Sequence, residues 1–196
     1  MDVRTFTTLF PKLYHLTFAS NLDGIQQQGL HSTASLADLY KFDEIEREAT
    51  LIQRRRCIQT LHGISLRDQH AASEKKMKSC LVGITIPEWL TLLNSKIFLF
   101  VEKEKALRLA EVYAEYPNVL LEVDTAQLLA THAANATLCR INSGSFLYNP
   151  RPRGRNSFIP LNEYVYRKKR DTPAELTVDA PIPNILEIAT VTSVAA

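Results

Sequence analysis

The chain has 196 residues, 45% hydrophobic and 22% charged, with a formal net charge of +2, the balance of an ordinary globular domain. Its longest apolar runs, such as residues 97–101, are too short to cross a bilayer, and residues 1–6 lack the basic and apolar regions of a signal peptide. A membrane-spanning protein is thereby excluded, and a single domain over residues 1–196, located in the cytoplasm, is expected.

In chain order, Lys12–Phe18 reads as a first strand, and Asn21 or Ser20 caps a helix carrying Leu22 and Ile25 that ends at Gly29. Residues 34–60 predict a helical insertion, because apolar and charged residues interleave and neither Gly nor Pro occurs from 30 to 62. A strand over 63–67 and a polar, mobile stretch over 68–79 follow. Thr85 and Pro87 open a short helix running to residue 93. Strand 97–101, helix 104–116 and strand 119–123 then alternate, and Thr125 caps a helix over 126–131. Pro and Gly cluster beyond Arg140, with one strand-like piece at 157–160, and the closing strands are expected at 174–178 and 185–191. Short strands with unevenly placed helices predict the α+β class.

Cys57, Cys80 and Cys139 are odd in number and scattered, and the five histidines show no metal-ligand spacing, so no metal is expected and each cysteine is assigned to packing. Charge is uneven. Eight basic residues face one acid between Arg140 and Arg170, a segment that fits either a polyanion-binding surface or a solvated loop.

The block His15-x-Thr17, Asn21 and Gly29-Leu30 resembles the opening of the DarT-like ADP-ribosyltransferase toxins. The stretch from Ile52 to Arg56, residues 66–68, the strand–helix–strand over 96–124, and residues 173–178 with Ile182, Pro183 and Ile185 extend that resemblance over most of the chain. The chain also looks like uncharacterised bacterial proteins carrying R-D-Q, L-N-x-x-[IV]-F and R-G-x-x-[ST]-F, here at Arg67, Leu93 and Arg153. Two departures stand out: the aromatic strand of the toxins is replaced by the polar stretch 70–79, and Pro173-Ala174-Glu175 lacks the paired acids of enzymes that modify protein arginines.

The resemblance implies an ADP-ribosyltransferase fold, two small twisted mixed sheets flanking an NAD cleft, and a toxin that transfers ADP-ribose from NAD to a base in DNA or RNA. It would act within a toxin–antitoxin or phage-defence system, with an antitoxin protein as partner. Nicotinamide departs through a cationic transition state, so a carboxylate must stand beside the ribose; Glu175 is the candidate, with Glu122 or Asp124 as substitutes. Arg55 or Arg56 would hold the pyrophosphate. His15 and Thr17, on one face of the first strand, would contact the adenosine-side ribose with Asn21 nearby, and the Leu16 backbone would hold the carboxamide. Phe98 or Tyr113 would stack on nicotinamide. Arg151, Arg153, Arg155 and Lys168 would grip the acceptor's phosphates. Arg67 and Asp68 are equally readable as a structural ion pair. Two other readings remain open: modification of a protein side chain, and a non-catalytic nucleotide- or nucleic-acid-binding module.

Overall fold

The computed structural model describes residues 1–69, 73–147 and 150–194. The elements up to the middle of the chain are α1 (Val3–Leu9), β1 (Lys12–Phe18), α2 (Leu22–Gln28), α3 (Thr33–Leu39), α4 (Glu44–Arg47), β2 (Gln59–Leu61), β3 (Ile64–Leu66) and α5 (Glu74–Cys80). They are followed by α6 (Ile86–Asn94), β4 (Ile97–Phe100), α7 (Lys103–Val112), β5 (Asn118–Asp124), α8 (Thr125–His132), β6 (Ala136–Cys139), β7 (Ile159–Pro160), β8 (Glu175–Val178) and β9 (Ala189–Val194). Seven strands form one sheet in the order β7-β6-β8-β4-β1-β5-β9, and β2 and β3 form a separate hairpin. All strand pairs run antiparallel. The class is therefore α+β, but one large antiparallel sheet replaces the two small mixed sheets expected. The reason is β1, which pairs with β5 along its whole length and with β4 at one position, joining both halves.

Alternation along the strands gives the sheet two apolar faces. On one, Leu13, Leu99, Leu121, Leu138 and Leu176 pack with Phe6 of α1, Leu128 of α8 and Ile182 and Ile185 of the segment before β9. The other face is covered in two separate pieces. Leu16 and Leu120 pack on Ala106 and Ala110 of α7, whereas Cys139 joins Met77, Trp89, Leu90, Phe146 and Phe158 beneath α5 and α6. Between these pieces the sheet is open.

Local chemistry explains several boundaries. Thr85 and Glu88 form a capping box with Pro87 in the first turn of α6. Gly29 ends α2 at φ +85°, and a Cβ there would lie 2.5 Å from Pro183 Cα, so only glycine lets Leu30 bond Ile182 through paired backbone groups.

The structure departs from the expected elements elsewhere. The helical stretch 34–60 breaks at Lys41, which has φ +53°, restarts at the Asp43–Glu46 capping box, and passes through a π turn at Glu48–Ile52 before extending into β2. The polar stretch 68–79 gives way at Glu74 to α5, because Met77 and Cys80 bury one side of it; His70 to Ala72 lie outside the described residues. Helix α7 stops at Val112, where Asn118 Nδ2 donates to the carbonyls of Tyr113 and Tyr116. Asn21 makes no capping bond, and α8 is capped by Asp124 rather than Thr125. The short β6 was unforeseen, and the last strand begins at Ala189 because Ile182 and Ile185 serve the core from a turn. Cys57 is exposed, which overturns its packing role, while Cys80 and Cys139 are buried.

Candidate active site

Strands β1 and β4 meet only at Tyr14↔Phe100, and beyond that position they part. Side chains occupy the gap. His15 Nδ1 lies 2.8 Å from the Phe98 carbonyl; a carbonyl only accepts, so Nδ1 carries the proton and Nε2 is left as an acceptor. Burial pushes the His15 pKa down to about 4, so the ring is neutral at pH 7. The Leu16 carbonyl, expected to hold a carboxamide, accepts from Arg67 Nη1 at 2.7 Å. The parted strands open into a cleft of about 740 Å³, in the size range of small-molecule sites.

Glu175 reaches the same cleft from β8. The register Tyr14↔Phe100↔Glu175 sets it two strand spacings, about 10 Å, from β1. By alternation Glu175 shares a face with Tyr14 and Phe100 and not with His15; the parting of β1 and β4 is what lets both line one opening. Glu175 is 3% exposed, on a strand inside the sheet between β6 and β4. Its Oε2 accepts from the Ser143 hydroxyl at 2.8 Å and the Ser143 amide at 3.2 Å. Burial raises its pKa to about 7, against the opposing pull of Ser143, Lys105 and Arg153.

The other expected ligand-binding residues divide. Thr17, Asn21, Phe98 and Tyr113 line the cleft. Asn21 exchanges two bonds with the Ser65 backbone, at 2.8 and 3.0 Å, and donates to Thr17 Oγ1, so it docks the β2–β3 hairpin onto β1. Tyr113 donates to Asp68 at 3.2 Å, and burial raises its pKa to about 12. Arg55 lines the cleft but is consumed structurally: Nη1 donates to Thr50 O and Asn94 Oδ1, and Nε donates to Arg67 O. Arg56 is exposed and does not line the cleft, so neither expected arginine is poised for a pyrophosphate. Arg67, read from sequence as half of an ion pair, instead spans Leu16 O and Asn118 Oδ1 with its guanidinium over the rings of Phe18 and Tyr113.

The expected acceptor-binding residues divide as well. Arg153 is buried, and its Nη1 donates to the carbonyls of Asn142, Ser143 and Ser145. It is a structural residue, not a phosphate grip. Arg155 pairs with Glu88 at 3.3 Å, whereas Arg151 and Lys168 are exposed. The basic run 167–170 is exposed throughout and lies just upstream of β8 and Glu175.

A family model matches residues 11–189, and it describes a family of unknown function, DUF7002. The chain belongs to DUF7002. The span matched to DUF7002 contains every cleft-lining residue. A search of the curated proteins gives no match. Among the described residues no His, Cys, Asp and Glu group could hold a metal ion, and no helix is long and apolar enough to cross a membrane. Sequence reasoning missed Ser143, Lys105 and Arg108 at the cleft; the turn-forming run Asn142-Ser143-Gly144-Ser145 was the available signal for the first.

Proposed function

We propose that the protein is an NAD-dependent ADP-ribosyltransferase, a single domain that transfers ADP-ribose to a base in single-stranded nucleic acid. The observation that carries the reading is the convergence of His15 and Glu175, from strands separated only by β4, on one cleft. The cleft is lined by five cations, Arg55, Arg67, Lys96, Lys105 and Arg108, and two carboxylates, Asp68 and Glu175. Arg55 and Arg67 are held by carbonyls and Lys96 by Asp179, so Lys105 and Arg108 of α7 are the cations through which the cleft would meet a diphosphate. Phe98, Phe100 and Tyr113 supply aromatic surface for a planar ring.

In this reading the Glu175 oxygen not held by Ser143 meets the nicotinamide-side ribose. The bond from ribose C1′ to nicotinamide breaks with its electron pair leaving on nicotinamide, and the carboxylate stabilises the cation that remains. A ring or exocyclic nitrogen of the acceptor base forms the new bond to C1′ and passes its proton to Glu175. Because the Glu175 pKa is about 7, the ionised, proton-accepting form grows as pH rises through that value. His15 Nε2 accepts from a ribose hydroxyl, and the exposed run 167–170 leads acceptor phosphates toward β8. Resemblance to DarT-like toxins supports a role in toxin–antitoxin or phage defence with a neutralising partner.

The test is a survey with NAD radiolabelled in its adenylate half, offered with RNA, single-stranded DNA or cell protein. The reading predicts label in nucleic acid, and none with Glu175→Gln. Label in protein alone would transfer the assignment to a protein-modifying enzyme. NAD bound but intact under all three conditions would leave a binding module.

A further inference from the structure

Loop 140–147 enters the cleft beside Glu175, and its shape is imposed from outside the cleft. Arg153 is 4% exposed, yet among the described residues no carboxylate pairs with it. Its Nη1 instead gathers three carbonyls, of Asn142 at 3.2 Å, Ser143 at 3.0 Å and Ser145 at 2.9 Å, while Nε donates to Arg151 O at 3.1 Å. The guanidinium lies 4.2 Å from the centroid of the Phe146 ring. The Arg153 backbone is itself fixed, donating to Cys80 O and accepting from Val82 N, and a Cβ on Gly154 would stand 2.4 Å from Val82 O. Burying a cation carries a desolvation cost, which here is offset by carbonyl dipoles of the loop it organises. What it organises is Ser143, fully buried, whose amide and hydroxyl both donate to Glu175 Oε2. Among the described residues Oε1 receives no hydrogen bond, and Glu175 lines the cleft.

We propose that Arg153 is a positioning residue: by gathering the carbonyls of loop 142–145 it turns Ser143 so that one oxygen of Glu175 is clamped and the other is presented to the ligand. The inference rests on the reading of Glu175 as the reacting carboxylate, but the clamp itself is testable without any reaction. The charged and titratable groups around Glu175 are Cys139, directly across on β6, Lys105 from α7, and Arg153.

The experiment is a ¹³C NMR titration of the Glu175 carboxyl. Ser143→Ala removes a donor to the carboxylate, so the midpoint should move up by about one pH unit. Arg153→Lys keeps the charge but loses the planar fork that bonds the loop carbonyls through Nη1 and Arg151 O through Nε while lying over Phe146, so it should also move the midpoint up. In the double variant the two shifts should fall short of additive, since Arg153 acts through Ser143. In the wild type the Ser143 amide resonance should titrate with the Glu175 midpoint, a check that needs no variant to fold. An unmoved midpoint in Arg153→Lys, fully additive shifts, or a Ser143 amide blind to Glu175 would each overturn the proposal. If the NMR results hold while label transfer from NAD fails, the clamp stands and the enzymatic reading falls. If both hold, Arg153→Lys should move the pH midpoint of kcat upward in step with the NMR midpoint.

Discussion

Replacing Glu175 by Gln should stabilise the fold while sharply lowering activity. The carboxyl is 3% exposed and its pKa is raised from the usual 4.5 to about 7, chiefly by burial. A carboxyl raised in this way favours folding fully below 4.5, and that contribution is lost as pH rises through 7. At 1.36 kcal/mol per pH unit, ionisation at pH 8 withdraws about 3 kcal/mol. Gln carries no charge to desolvate, and its carbonyl oxygen still accepts from both Ser143 donors. Glu175→Gln should therefore exceed the wild type in stability at pH 8 by up to about 3 kcal/mol, or roughly 6–12 °C in Tm for a chain of this size. At pH 4 the two should melt together. Thermal unfolding of both proteins from pH 4 to 8 reads this directly. The neutral His15 has the opposite dependence: its pKa, lowered from 6.5 to about 4, adds stability above 6.5 that is lost as pH falls through 4. The variant should consequently show a rising limb between pH 4 and 6.5 that Glu175 offsets in the wild type. A variant no more stable than the wild type at pH 8 would refute the argument that the carboxylate is held ionisable at the expense of stability. In the same variant, cleavage of NAD should fall by about 10²–10³, the usual effect of losing one preorganised electrostatic contact.

Asn21→Ala removes the bonds that tie β3 to β1, so it should cost about 1–3 kcal/mol by urea unfolding and weaken NAD binding by calorimetry, since the hairpin walls the cleft. Gly29→Ala places a Cβ against the backbone of Ile182 and Pro183 at a left-handed φ, and should destabilise by more than about 2 kcal/mol in the same assay. Charge reversal at exposed Lys168 and Arg170 should lower modification of nucleic acid and reduce its salt dependence, with NAD affinity unchanged. Equal loss of NAD binding there would place the run in the NAD site.

Much of the frame was legible because its signals are local. The short apolar stretch of β1, the Thr85 cap, and Gly29 after α2 each encode an element within a few residues. Three short motifs were legible as patterns but not as contacts. Asn94 of the L-N-x-x-I-F run holds Arg55, Gln69 of R-D-Q accepts from the Arg55 amide, and Arg153 of the R-G-x-x-S-F run holds loop 142–145. Their roles depend on partners 14 to 39 residues away, or on loop carbonyls that carry no side-chain signature. The same limit misassigned Arg55 and Arg153: an arginine in a basic run reads as a phosphate ligand, and only burial reveals that carbonyls already occupy it. Glu175 was singled out through the resemblance carried by residues 173–178, but its burial was not legible, because the covering Ser143 loop lies 32 residues away. Lys41 at positive φ broke the predicted long helix without a Gly or Pro to announce it.

The central claim is that the cleft between β1 and β4 presents NAD to Glu175 for transfer to a nucleic-acid base. Mass spectrometry of a single-stranded oligonucleotide incubated with NAD and the protein tests it most directly. The account predicts that the oligonucleotide gains the mass of one ADP-ribose, that an equal amount of nicotinamide is released, and that neither occurs with Glu175→Gln. An oligonucleotide of unchanged mass beside intact NAD would contradict it.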